Sequence, residues 1–367
     1  MPVTLIFDAG AGSSGKGKLS SYLAEKHNYS AAICNWMINA GHVTELDDGT
    51  RFTVQIIPSA FVDKTTQLII GPGAAFDLET INREIKMLDD AGYEISKRLT
   101  INPRAMIIEQ CDRDEEKRII KSGSTFKGCG AASARKIMRL KSVKMARDVA
   151  DQIIGGQVRD HVHMVNTMLK NNQNILVEGA QGFDLDINYG LDYPHTTSRQ
   201  CHPGQLLADC GIPITEKCYV IANLRPFPIR ISNTSAADGT QVYTGNYAEA
   251  KELAWSEVES RAGYEEGELS NHHSNYTTVT KKLRRVFEFS WERFEYMLKV
   301  CAPTHLSLNF CNHLDKSVTG VVDHKELLES EQVREFVNKT ESYGTKISFF
   351  GTGAKMSEMI DVSAQNK

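Results

Sequence analysis

Gly10-x-x-x-x-Gly15-Lys16 has the spacing of a loop that closes around a phosphate, and Lys18 adds a second ammonium two residues on. Glycines let backbone N–H groups approach an anion, and a helix start behind them adds positive potential. A Mg2+-binding P-loop would carry Ser or Thr after the lysine, whereas Gly17 stands there, which argues against an ordinary P-loop kinase. Two lysines in a first helical turn oppose the helix dipole unless an anion offsets them, and bound phosphate would do so. His161-Val-His163 and His272-His273 lack acidic or cysteine partners at metal-ligand spacing, so no zinc site is expected from them. The run Lys281-Lys-Leu-Arg-Arg285 is by itself either a solvated face or an anion-capturing patch.

The elements that must position these residues are legible around them. Val3 to Phe7 is a short apolar run before the glycine loop, and Leu19, Tyr22 and Leu23 recur at helical spacing after it, which predicts strand, loop, helix. Gln67 to Ile70 predicts a second buried strand, ending in Gly71-Pro-Gly73. Asp77 then caps a helix with Leu78, Ile81, Ile85 and Leu88 on one face, closed by Gly92. Ile175–Val177, Tyr219–Ala222, His305–Leu308 and Lys346–Phe350 are further strand candidates, and Phe287, Trp291, Phe294 and Leu298 read as one helical stretch. Such alternation predicts an α/β fold with a mainly parallel central sheet covered by helices. The expected organisation is one domain over residues 1–367, with functional loops or insertions near 121–140 and 236–285, where Gly, Ser, Ala and Asn dominate.

Composition narrows the partners. With 367 residues, 41% apolar, 24% charged and 8% aromatic, the chain falls outside the collagenous, coiled-coil and disordered classes. Forty-two Lys plus Arg against 46 Asp plus Glu give a net charge of −4, so no global positive field draws it to nucleic acid or anionic membrane. The 8 cysteines form no CxxC pair, as in a reducing cytosol. The first residues lack a signal-peptide pattern, and no run approaches about 18 apolar residues. A cytoplasmic location is expected, the host cytoplasm for a phage-encoded protein.

Gly12-Ser-Ser-Gly-Lys-Gly-Lys18 resembles the GDEGKGK loop of adenylosuccinate synthetases, and Asn39-Ala-Gly-His-Val43 resembles their NAGHT segment. Gly123-Ser-Thr-x-x-Gly-x-Gly130 is similar to their GTTxxGIGP loop. Glu178-Gly-Ala-Gln-Gly182 with Asp186 is similar to EGAQGxxLD, and Pro194 and Thr197-Ser198 follow in order. Gly71-Pro-Gly73 resembles the family's GxG turn, Thr277 to Arg285 its TTGRRRR aspartate loop, and Gly351-Thr-Gly353 its last nucleotide loop. The resemblance implies a P-loop-like synthetase fold and a two-step condensation. Phosphoryl transfer activates the 6-oxo group of a purine monophosphate, and the amino group of aspartate then displaces phosphate. It also implies roles. Lys16 and His42 act on the phosphoryl group, and the Gly41 carbonyl ligates Mg2+. Asn39, Thr125, Gln181 and Thr197 hold the monophosphate, with Arg139 reaching it from the other subunit of a homodimer. Thr278, Thr280, Lys282 and Arg284 hold aspartate. Gly12, Ser14, Gly15, Lys16, Gly17, Lys18, Gly351 and Gly353 hold the phosphoryl donor.

Two departures redirect the substrates. Ser13 stands where the family has its catalytic, Mg2+-ligating aspartate. A serine hydroxyl is no comparable base near pH 7, yet it leaves room for a 2-amino group and accepts a hydrogen bond from it. Guanine has that group and hypoxanthine does not. The same loop resembles the phage-type 2-aminoadenylosuccinate synthetase branch, which implies dGMP as substrate with Ser13 touching both the base and the metal. Asn312, in Leu308-Asn-Phe-Cys-Asn312, replaces the aspartate that reads guanine of the donor. An amide both donates and accepts, matching adenine's edge, so ATP or dATP is expected as donor with Phe310 stacking on its base. The competing readings are an ordinary adenylosuccinate synthetase using IMP and GTP, and a purine-nucleotide-binding regulator without turnover.

Overall fold

The computed structural model describes residues 3–119, 124–235, 241–277 and 281–365. Its first strand shows why the sheet is covered on both sides. Every residue of β1 (Val3–Asp8) is buried, and because successive side chains alternate, Val3, Leu5 and Phe7 enter one apolar cluster while Ile6 enters the other.

Nine strands follow it into one sheet: β2 (Ala31–Cys34), β3 (Gln67–Ile70), β4 (Leu99–Ile101), β5 (Gln157–Val158), β6 (Ile175–Glu178), β7 (Cys218–Leu224), β8 (His305–Leu308), β9 (Ile347–Gly351) and β10 (Met359–Asp361). The spatial order is β10-β9-β8-β7-β1-β6-β2-β3-β4-β5. All neighbours run parallel except β9 and β10. The fold is therefore α/β with a mainly parallel central sheet, as the pattern of apolar runs predicts. The chain winds outward from β1 through β5, returns to lie beside β1 as β6, then continues on the other side with β7. Crevices at the carboxyl ends of strands around such a reversal are where ligands bind in open α/β sheets.

Helices cover both faces. Lys16–Lys26 follows the glycine loop, and Leu78–Asp90 is capped by Asp77, whose carboxylate accepts from the Thr80 amide at 2.6 Å. Phe287 departs from the expected helix. It closes the strand Arg285–Phe287, and the helix starts only at Trp291, where Ser290 Oγ accepts from the Arg293 amide. Two expected loop regions are also partly ordered. Cys129–Ile137 is a helix, entered through Gly128 at φ 85°. Within 236–285, Glu252–Leu253 and Arg285–Phe287 pair beside Ile229–Arg230 as a small antiparallel sheet. The helix Trp255–Ala262 packs on it, and Phe227, Trp255, Val258, Leu269 and Val286 give this part its own apolar core. Among the described residues no helix is long and apolar enough to cross a membrane.

Candidate active site

Four buried strands end in a polar side chain: Asp8 on β1, Glu178 on β6, Asn223 near the end of β7 and Asn309 just after β8, each no more than 2% exposed. They form the floor of the crevice. Asp8 organises the glycine loop from below. Its Oδ1 accepts from the amides of Gly10 (2.9 Å) and Gly12 (3.2 Å), and its Oδ2 from the Ser14 amide (3.2 Å), the Ser14 hydroxyl and Lys16 Nζ (3.0 Å). The amides expected to face phosphate are thus turned onto an internal carboxylate, which also offsets Lys16. What remains for an anion is the start of helix Lys16–Lys26, which has no side-chain cap and no acid in its first turn.

The missing Ser or Thr at position 17 has a packing cause. A Cβ on Gly17 would lie 2.8 Å from the Val43 carbonyl oxygen, so the helix and the hairpin His42–Glu45/Arg51–Val54 approach too closely for any other residue. Lys16 Nζ also donates to the Gln181 carbonyl at 2.8 Å, and Gln181 Nε2 donates to Asn39 Oδ1 at 3.1 Å, so the loop and the two expected monophosphate ligands meet. Lys18 Nζ reaches across to the carbonyls of Gly353 and Glu358, both at 2.7 Å. Burial pushes its pKa down to about 8, against the opposing pull of Glu358. Asn223 Nδ2 donates to the Ser14 carbonyl at 2.9 Å, and Asn309 Nδ2 to Asn223 Oδ1 at 2.8 Å, bracing the loop from two strands.

His42 is held by a ring stack and a carboxylate. Its ring stacks on Trp36 with centroids 3.7 Å apart, and its Nδ1 lies 2.8 Å from Glu178 Oε1. A carboxylate only accepts, so Nδ1 carries the hydrogen and Nε2 is left for a ligand. Glu178 is fixed in turn by the Ser59 amide and hydroxyl at 3.0 and 2.9 Å. Burial pulls the His42 pKa below the usual histidine value, and Glu178 opposes that pull.

The opposite wall is less complete. Ser13 sits exposed at φ 54°, its carbonyl accepting from Arg225 Nη1 at 3.0 Å. Arg225 is 4% exposed, with its guanidinium 4.2 Å above the Phe310 ring. Its Nε and Nη2 have no hydrogen-bond partner among the described residues. Burial and the nearby Arg284 push its pKa down to about 9. Leaving a buried donor unpaired costs about 1–3 kcal/mol, more when charged. One face of Phe310, expected to stack on a base, is therefore covered by a cation. Thr197 Oγ1 is buried and likewise unpartnered among the described residues. Arg284 donates to the Tyr276 carbonyl, and burial with Arg51 pushes its pKa down to about 10. Lys282 is exposed; among the described residues only its backbone is engaged, pairing with Thr277. A cleft of about 360 Å³ beside it is lined by Arg51, His273, Thr277 and Lys281. Asn312 Nδ2 donates to the Tyr264 hydroxyl at 3.1 Å.

Gly351 packs on Asn309 and Gly353 on Glu358, each too closely for a Cβ. Gly41 lies between Asn39 and His42, and Thr125 in the half-buried loop before helix Cys129–Ile137. Arg139 stands apart, exposed beside Ile137, Met138 and Leu140, which are 78%, 59% and 43% exposed. Thr278 and Thr280 lie outside the described residues. Sequence reasoning missed Asp8, Asn223, Asn309 and Arg225, and gave Glu178 no role. The available signal was a polar residue closing each apolar run.

Comparison with known proteins agrees with this geometry. The family model for adenylosuccinate synthetase matches residues 6–154 and 140–319. An N6-succino-2-amino-2'-deoxyadenylate synthase of Salmonella phage PMBT28 is 35% identical, covering 87% of this chain and 88% of its own. An adenylosuccinate synthetase of Methanococcus maripaludis is 30% identical over 99% of each chain. The solved structure of the cyanophage S-2L succinoaminodeoxyadenylate synthetase, bound to dGMP and to dATP as an energy donor, superposes with a TM-score of 0.81 at 25% identity, covering 100% of this chain and 99% of that one. With the glycine loop, the Asn-Ala-Gly-His segment and the Glu-Gly-Ala-Gln-Gly turn drawn together in one crevice, and matches running along nearly its full length, the chain belongs to the adenylosuccinate synthetase family.

Proposed function

We propose that this protein is a C–N ligase that joins dGMP and L-aspartate at the expense of ATP or dATP. The product is N6-succino-2-amino-2'-deoxyadenylate, a precursor of 2-aminoadenine DNA. The observation that carries the reading is Ser13, exposed at the loop tip where the family has an aspartate. There its hydroxyl accepts from guanine's 2-amino group, whose place a carboxylate would crowd.

In the first step the guanine 6-oxygen takes the γ-phosphoryl group of the donor and loses its N1 proton to water, giving a 6-phosphoryl intermediate and ADP or dADP. In the second, the aspartate amine bonds to C6 and inorganic phosphate leaves. Lys16 and His42 Nε2 face the charge that spreads over the transferring oxygens. For Nε2 to donate, the ring must be the imidazolium, which Glu178 and an incoming phosphoryl group favour against the larger downward pull of burial. Asn39, Gln181, Thr197 and Thr125 hold dGMP, and Lys18 with Gly351 and Gly353 borders the donor. The Gly41 carbonyl and Ser13 hydroxyl are hard oxygen donors of the kind Mg2+ accepts, and that ion would neutralise phosphate charge when bound. Among the described residues no cluster of three acidic, histidine or cysteine side chains competes for it. Arg139 fits a role in trans, because it is exposed on an apolar patch rather than turned into its own crevice. A homodimer with Arg139 completing the neighbouring site, working in a phage host's cytoplasm, is the corresponding assembly.

Crossing dGMP, GMP and IMP with ATP, dATP and GTP, with aspartate present and phosphate release as readout, tests the reading. Turnover is expected with dGMP and an adenine donor. Turnover of IMP alone, or a clear GTP preference, would refute it, and nucleotide binding without phosphate release would favour a regulator.

A further inference from the structure

Arg225 is a buried cation that the proposed chemistry has not used. It follows β7 directly, beside the loop that carries Ser13, and three surroundings fix its guanidinium: the Ser13 carbonyl on Nη1, the Phe310 ring on one face, and apolar burial elsewhere. Nε and Nη2 remain without partners among the described residues. No acid among the described residues completes them. The charged groups that act on Arg225 are Arg284, of like sign, and Asp8, and Asp8 is already occupied by three amides, a hydroxyl and Lys16. A buried guanidinium with two nitrogens unpartnered among the described residues, beside a second cation, is a site that an anion completes.

We propose that Arg225 is the second guanidinium for the dicarboxylate substrate, working with Arg284 in the place that exposed Lys282 leaves open. The proposal rests on the aspartate-ligase reading above. A guanidinium presents a planar fork that matches a carboxylate, and an ammonium on a flexible, exposed stem does not. The resemblance already gives the transferred phosphoryl group its own cations, Lys16 and Lys18, which leaves a carboxylate as the anion for Arg225. Lys16 is engaged with Asp8 and the Gln181 carbonyl, and Lys18 with the Gly353 and Glu358 carbonyls. Arg225 is thereby a link between base recognition and amino-acid capture, since the backbone of the residue that meets the purine is the one it grips.

The test uses the full chain with dGMP and dATP saturating. Arg225→Lys is expected to raise the KM for aspartate at least about tenfold, with the dGMP dissociation constant, measured by calorimetry, within about twofold of the parent. Lys282→Ala, a change at an exposed residue, is expected to raise that KM by less. A purely structural Arg225 would instead lower kcat or weaken dGMP while leaving the aspartate KM within about twofold, and that result overturns the proposal. So does a larger effect from Lys282→Ala. In Arg225→Ala, added methylguanidine is expected to restore aspartate use. Absence of phosphate release in the parent protein itself would fail the ligase reading, whereas a parent that turns over beside an indifferent Arg225→Lys fails this assignment alone.

Discussion

The floor of the crevice and its outer wall treat polar groups in opposite ways. On the floor, Asp8, Glu178, Asn223 and Lys16 find their partners inside the protein before any substrate arrives. On the wall, Arg225 and Thr197 keep buried donors that no described residue satisfies. The difference separates what shapes the site from what senses its ligands. Of the four floor side chains only Asn309 keeps a buried atom, its Oδ1, unpartnered among the described residues; a floor whose charged groups are paired internally holds Lys16 and His42 in place without reorganisation, which is how fixed dipoles and charges lower a barrier. A wall that is incomplete binds only what completes it, because buried unpaired groups penalise any ligand lacking the right atoms.

The comparison breaks first at Asp8. Asp8→Asn removes the charge opposite buried Lys16 and is expected to lower unfolding free energy in urea by about 3–5 kcal/mol. A loss under about 1 kcal/mol would mean that the loop keeps its shape without the carboxylate. Next is His42→Ala, which should leave nucleotide affinity nearly intact while reducing kcat by about 10²–10³-fold, the usual cost of one transition-state donor. An equal loss in dGMP binding would move His42 from the chemistry to ground-state recognition.

Thr197→Val sharpens the contrast. Removing a hydroxyl that is unpartnered in the free protein should leave stability unchanged or slightly raised, while dGMP binding weakens by about 1 kcal/mol. If stability falls as it does for a floor residue, the distinction between the two regions collapses. The smallest effect concerns pH. With a pKa of about 8 in the free protein, Lys18 loses its proton as pH rises through that value. The donor KM should therefore increase between about pH 7.5 and 9.5, and the limb should sit at higher pH in kcat, because a bound phosphate favours the ammonium. A donor KM that is flat across this range removes Lys18 from donor binding.

Much of this architecture was legible from short apolar runs, since a strand buried on both faces leaves an uninterrupted signature. What escaped was the residue after each run. Asp8 reads as the first loop residue, and nothing local says that its carboxylate turns back under the amides that follow. Arg225 reads as a surface cation beside Pro226, because its burial depends on Phe310 and on a loop more than two hundred residues earlier. Phe287 misled in the other direction: it keeps helical spacing with Trp291 and Phe294 although Ser290 had already marked the helix start. The segment Cys129–Ile137 escaped as a helix because its Gly, Ala and Ser residues continue the composition of the stretch before it, Gly123 to Gly128. The motif-bearing residues were easier to place, because glycines that cannot carry a Cβ, such as Gly17, leave a pattern in the sequence itself.

The grip of Lys18 on the carbonyls of Gly353 and Glu358 ties the helix behind the glycine loop to a segment made 335 and 340 residues later. A ribosome reads the chain in one direction, so the helix behind the glycine loop is synthesised long before those carbonyls emerge. Until residue 358 has left the exit tunnel, the nascent protein holds the Lys18 ammonium without these two acceptors. Translation thus orders the contact: each copy can place the Lys18 ammonium only after residue 358 has been made.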